Sequence, residues 1–343
     1  MKLIPCARSV THQAISCFLL AVSTASVLAQ VWHPQTSTTT ASLRGVSAVS
    51  KNVAWASGTK GTILKTTDGG KTWLQTGLPL EPTLDFRDIE ATDDRTAYAM
   101  SAGPGALSRV YKTSNGGADW TLQITNPDPQ GFWDCMGFWN SKHGILVGDP
   151  VDGHISILTT EDGTTWRKRT GPPVNKDEAM FAASGTCIVT RGTAEAWLAT
   201  GGQGGGRVFH TVDAGETWSI ATTSVRHESA SAGIFSIAFA DSRDGISVGG
   251  NYSKPTEAAD ALALTTDGGK TWNSAVGLSG FRSAVAFVTK RNLWVATGTS
   301  GTDISRDGGK SWKNIGPGFN ALSFTSLGAG WAVGANGAIS SFQ

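Results

Sequence analysis

The chain has 343 residues, with 28 Lys+Arg against 27 Asp+Glu and a formal charge of +1. That near-balance leaves no basic excess to neutralise a phosphate backbone, which excludes a dedicated nucleic-acid binder. A hydrophobic content of 39%, with 13 Trp and 13 Phe, excludes a disordered chain, and 43 Gly without a G-X-Y period exclude collagen.

The first element is a leader. Lys2 and Arg8 precede an apolar run over 14–29, and Val27-Leu28-Ala29 before Gln30 has the small residues of a signal-peptidase site. A membrane anchor is the alternative, but the run is short for a span of about 20 residues. The expected division is a signal peptide over 1–29 and one domain over 30–343, exported to the periplasm or the cell exterior. Cleavage would leave 26 basic against 27 acidic residues, a net −1. Cys6 and Cys17 would leave with the leader, and no lipobox cysteine stands at the cleavage site. A short strand, Val31-Trp32-His33-Pro34-Gln35, follows.

One octet then recurs: TTDGGKTW (66–73), TSNGGADW (113–120), TTEDGTTW (159–166), TVDAGETW (211–218), TTDGGKTW (265–272) and SRDGGKSW (305–312). The closing tryptophans are 47, 46, 52, 54 and 40 residues apart. In an all-β pattern a period of this size means propeller blades. Asp-Gly-Gly supplies a side-chain acceptor and positive-φ positions for a tight hairpin, and the Trp brings a large ring to bury. The octet resembles the Asp-box, or BNR repeat, which specifies fold and says little about chemistry.

A second register runs through Arg44, Arg87, Asp134, Thr186, Phe235, Arg282 and Asn320. Eleven residues beyond each lie Trp55, Tyr98, Ile145, Trp197, Ile246, Leu293 and Trp331, in short apolar strands. Each unit therefore reads strand A, strand B, strand C, Asp-box turn, strand D. The seventh unit stops at strand C, residues 338–342, so its strand D is expected from residues 31–36, with Trp32 in the role of the Asp-box tryptophan. The predicted fold is an all-β, seven-bladed propeller closed by its N-terminal strand, which leaves no open blade edge.

In propellers the D–A and B–C loops share one face and the C–D turns lie on the other, so the Asp-boxes are read as structural. Along strand A the positions two and four beyond the register residue are mostly apolar, and period-2 alternation would put the register residue on that same face. Polar Arg44, Arg87, Asp134, Arg282 and Asn320 in phase with an apolar stripe mark the channel mouth as the candidate binding site. A solvated rim with Arg87 paired to Asp134 is the plainer alternative. Arg44 and Arg282 are expected to be the freest. Asp149 in the blade 3 loop, Glu178 in the polar stretch 175–178 and Tyr252 in the longest loop, 251–260, lie on the same face.

Other chemistry is poorly represented. His33, His143, His154, His210 and His227 lack metal-site spacing, so neither a metal nor a cofactor is expected. GGQGGG (201–206) is not followed by the GK[ST] of a phosphate loop, and no G-x-S-x-G elbow is present. Asp134 with Glu178 or Asp149 could form a glycosidase carboxylate pair. Cys135 and Cys187 occupy equivalent positions in adjacent blades. They should point the same way around the ring, so two free thiols are expected.

The segments SLRGVSAV (42–49), DFRDIEA (85–91), FWDCMGFW (132–139), GDPVDG (148–153) and GFRSAVAF (280–287) resemble the photosystem II stability/assembly-factor-like propellers, over residues 32–342. That resemblance implies a noncatalytic scaffold that binds a protein partner in membrane-protein assembly, and a monomer is expected. A sialidase-like or other glycoside hydrolase, or a glycan-binding propeller, is the alternative on the same scaffold. Three arginines in register fit a carboxylate-binding triad, but Arg44 is followed by Gly-Val and Arg87 by Asp-Ile, not by Ile-Pro. An arginine-lined mouth would take an acidic group, from a partner's side chains or from an anionic glycan.

Overall fold

Each Asp-box is a small hydrogen-bonded unit. In the first, Thr66 Oγ1 accepts from the Gly70 amide at 2.8 Å, and the Asp68 carboxylate accepts from the Thr72 amide at 2.9 Å and its hydroxyl at 2.7 Å. The pattern recurs at Asp213, Asp267 and Asp307. These donors hold the four carboxyls down at about 2. Gly69 and Gly70 sit at φ +78° and +85°, a region that side chains rarely enter.

In this computed structural model residues 1, 32–76 and 81–342 are described. The leader read over 1–29 falls, Met1 aside, outside them. The described residues form seven antiparallel blades. Blade 1 is Leu43–Ala48, Ala54–Gly58, Thr62–Thr66 and Leu74–Gln75 from the axis outward. The last blade is Ala321–Phe324, Gly330–Val333, Ile339–Phe342 and, as its outermost strand, Trp32–Gln35. Trp32 pairs with Phe342 and Gln35 with Ile339, so the ring is closed by the N-terminal strand as the sequence implied. Gln35 also reaches the next blade: its Nε2 donates to Gly69 O at 3.0 Å and its Oε1 accepts from Trp73 Nε1 at 2.9 Å.

The core lies between blades. Seven apolar clusters each span two neighbours. In each, the tryptophan that opens strand D packs on strand B of the preceding blade. Trp73 shares a cluster with Trp331, Trp120 meets Trp55, and Trp166 and Trp272 reach Tyr98 and Trp197 through Phe138 and Phe239. Trp32 does the same on Leu293 of blade 6 and touches Phe319 and Phe342 at ring-centroid distances of 5.1 and 4.9 Å.

Blade 5 departs from the four-stranded expectation. Two short strands, Glu178–Ala179 and Gly201–Gly202, join its sheet through a Gly201–Gly233 pairing. Here the GGQGGG run has a steric reason. A Cβ on Gly201 would lie 2.3 Å from the Phe181 ring and 2.7 Å from Gly233 Cα.

The cysteines overturn the free-thiol expectation: Cys135 and Cys187 form a disulfide, with Cα atoms 6.0 Å apart. Cys187 continues the blade 4 ladder, its carbonyl accepting from the Ala199 amide at 2.9 Å, whereas the blade 3 pairing slips at Asp134, so the two cysteines are not at equivalent positions. The Cys187 sulfur turns back to blade 3, while neighbouring Thr186 Oγ1 donates forward to Ser236 Oγ in blade 5 at 2.7 Å.

Two outcomes test this account. Trp32→Ala should cost about 3–5 kcal/mol and lower the thermal midpoint, whereas exposed His33→Ala should leave it near the parent value; equal midpoints would contradict ring closure through Trp32. Non-reducing peptide mapping should recover the 135–187 crosslink, and reduction should cost about 2–4 kcal/mol in denaturant titration.

Candidate functional site

The mouth of the channel is built by a repeated irregularity. In blades 1, 2, 3 and 5 the A–B pairing slips by one residue, between Leu43 and Gly45, Phe86 and Asp88, Trp133 and Cys135, and Ile234 and Ser236. The skipped residues are Arg44, Arg87, Asp134 and Phe235, all register residues. A bulge leaves its extra residue out of the ladder and re-aims the side chain. The expectation that these residues share the face of the apolar stripe is therefore corrected. All four line a cavity of about 490 Å³ at the mouth, on the face of the D–A and B–C loops.

The cavity brings together Arg44, Arg87, Asp134, Asp149, Tyr252 and Asn320. Arg282 and Glu178 are not among its lining residues. Blade 6 has no slip between its strands Ala284–Val288 and Leu293–Gly298. There Phe281 lines the cavity, while Arg282 is fully buried in the blade. Arg282 Nη2 lies 2.5 Å from Asp303 Oδ2, and Nη1 donates to Phe281 O at 2.7 Å. The sequence reading of Arg282 as one of the two freest arginines is thus reversed. Glu178 is also internal. It pairs with Arg207 and accepts from Thr200 Oγ1 at 2.5 Å and the Asn175 amide at 2.9 Å, anchoring the segment that carries Met180 and Phe181 over the mouth.

Of the cations, Arg87 pairs not with Asp134 but with Asp85, at 2.8 Å, and donates to Ala182 O at 3.2 Å. Arg44 lies beside it. Burial and the Arg87 charge lower the Arg44 pKa, with Asp85 acting the other way. Its Nε is buried without a hydrogen-bond partner. Asn320 Nδ2 donates to Leu43 O at 2.8 Å and ties blade 7 to blade 1.

The acids behave differently. Asp134 is 1% exposed. Burial, then the neighbouring Asp149, pushes its carboxyl well above the usual range, against the pull of backbone donors and Arg87. Its Oδ2 has no partner. Burial raises Asp149 as well, although its Oδ1 accepts from the Met180 amide at 2.8 Å.

Sequence reasoning missed an aromatic wall. Phe181 stacks on Phe235 at 3.9 Å, Phe235 meets Phe281 edge-on at 4.7 Å, and Tyr252 stands 6.1 Å from Phe235. Phe281 was within reach, because it precedes a register residue in a blade whose phase differs. Phe181 was not, because it rides on an insertion. The loop bearing Tyr252 is pinned by Arg226, which bonds Glu228 at 2.6 Å and Glu257 at 2.9 Å.

These features define a seven-bladed propeller with a mixed cationic and aromatic cavity at one mouth. No family model and no curated protein matches the chain. Solved structures do. YCF48 bound to a D1 peptide is 17% identical with a TM-score of 0.65, covering 91% of this chain and 96% of that one. YCF48 from Cyanidioschyzon merolae is 19% identical with a TM-score of 0.67, covering 91% and 99%. A streptogramin B lyase is 12% identical with a TM-score of 0.68, covering 92% and 97%. The chain is thus similar in fold to the YCF48 propellers over most of its length. The same architecture also carries a lyase, so fold alone does not decide activity.

Arg282→Ala should unpair the buried Asp303 and cost about 3–5 kcal/mol. Arg44→Ala should leave the thermal midpoint nearly unchanged. Equal midpoints for Arg282→Ala and the parent would show that the Arg282–Asp303 pair is not structural.

Proposed function

We propose that the protein is an exported, noncatalytic binding propeller that takes a protein partner at the arginine-bearing mouth. The observation that carries this reading is the pair Arg44 and Arg87, held side by side with the Asp85 carboxylate bonded to Arg87 and the Arg44 Nε unpartnered. A guanidinium keeps its charge when half-buried and grips carboxylates in a planar fork. The fold-level likeness to YCF48, one structure of which is bound to a D1 peptide, supports a protein as the occupant. A role in assembly of a larger complex is part of the same reading.

A second reading is favoured by one observation: Asp134 and Asp149 both line the cavity, and each carboxyl is raised. Such a pair could serve glycoside hydrolysis. It ranks second because Asp149 is already bonded to the Met180 backbone and Asp134 is almost entirely enclosed.

Affinity purification from the native envelope, with the doubly substituted Arg44→Ala/Arg87→Ala protein as control, tests the first reading. The parent should retain a specific protein that the variant loses by about tenfold or more, with folding intact. Equal capture would remove the mouth as the binding site. Turnover of fluorogenic glycosides, abolished by Asp134→Asn, would establish the second reading instead.

A further inference from the structure

The cavity is split into two poles. Arg44 and Arg87 stand on blades 1 and 2. Phe181, Phe235 and Phe281 stand across the mouth, on blades 5 and 6 and on the insertion packed against blade 5. About 490 Å³ is in the range of small-ligand sites, and it fits one side chain or a small molecule, not a folded surface.

We propose that this cavity takes a carboxylate joined to an aromatic or branched apolar group, the carboxylate at Arg44 and Arg87 and the apolar group against Phe181, Phe235 and Phe281. The inference rests on the reading of the mouth as a binding site and specifies its ligand. Two polar groups between the poles are already used. Ser283 Oγ donates to Asn320 O at 2.8 Å, and Asn320 Nδ2 is spent on Leu43 O. Against the rings of Phe181, Phe235 and Phe281 a sugar hydroxyl would find no partner, and an unpaired polar group in an apolar site is costly. A ring, by contrast, gains edge and face contacts with the existing aromatic cluster. Asp134 fits the same ligand. Burial and the neighbouring Asp149 raise its carboxyl, which weakens its opposition to an anion, and its buried Oδ2 has no partner of its own.

Titration calorimetry on the full propeller tests this with four probes: N-acetyl-L-phenylalanine, its amide, N-acetylglycine, and a peptide ending in Phe with a free carboxylate. The acid should bind at least about tenfold more tightly than the amide or N-acetylglycine, because each of these lacks one of the two recognised groups. Arg44→Ala/Arg87→Ala should remove the preference for acid over amide, and Phe181→Ala the preference for phenylalanine over glycine. Tighter binding of the peptide than of N-acetylphenylalanine would identify the source as a chain end, and equal or weaker peptide binding a free acid; both uphold the proposal. Equal affinity for acid and amide, unaltered selectivity in the arginine variant, or no binding of any probe at millimolar concentration would overturn it. Partner capture by the parent with all four probes silent would sink this inference and leave the binding reading standing.

Discussion

The structure depends on packing one tryptophan per blade into the seam with the blade before it. The ring that opens strand D finds its apolar partner on strand B of the unit before it, as Trp120 does on Trp55, 5.9 Å away and edge-on. Each such ring also touches its own blade, as Trp32 does at Phe342 and Trp166 at Phe138, so it ties two neighbours together. A buried Trp is worth about 3–5 kcal/mol against alanine, and the contact recurs at every seam. This explains why Trp32 must come from the other end of the chain. Strand Trp32–Gln35 supplies both the missing ladder and the missing ring, and Gln35 carries the link on into the first Asp-box.

A seam built this way is rigid, and rigidity lets a one-residue slip have a defined consequence. The bulges at Arg44, Arg87, Asp134 and Phe235 sit where the inner strands begin, near the axis. Just beyond each, the ladder resumes and the blades lock together: Asp88 Oδ2 accepts from the Met136 amide at 2.7 Å, and Ser236 Oγ from the Val285 amide at 2.9 Å. The disulfide joins blades 3 and 4 in the same layer. The re-aimed side chains are therefore presented on a fixed rim.

The parts of this arrangement visible in the sequence are those with a period. Six octets, seven A–B pairs and one missing strand D determine blade number and closure, because each arises from a repeated physical need. Six of the eight residues assigned to the mouth line the cavity, since the register locates the loops of one face. The failures are aperiodic. A bulge adds one residue and leaves no letter behind, so the absence of one in blade 6 exchanged Arg282 for Phe281. Glu178 has its partner 29 residues away in Arg207, across an insertion that the repeat does not predict. The cysteines face each other because blade 3 slips by one residue just before Cys135 and blade 4 shows no such slip.

The exchange of roles among the acids decides what the mouth can hold. By composition the rim looks slightly acidic, with Arg44 and Arg87 set against Asp85, Asp134 and Asp149. The structure removes much of that balance. Asp85 is bonded to Arg87, Asp149 holds the Met180 amide, and Asp134 is enclosed, its carboxyl pushed well above the usual range by burial. Asp88, beneath them, serves the Met136 amide. Carboxylates that suggested acid–base chemistry in the sequence act as acceptors for backbone N–H groups that would otherwise be buried unpaired, a cost of about 1–3 kcal/mol each. Arg44 is left with no acid bonded to its buried Nε, opposite an aromatic wall. In a chain with almost no net charge, Arg44 is thereby the guanidinium best placed to meet an anion, and low-dielectric walls strengthen such a pull.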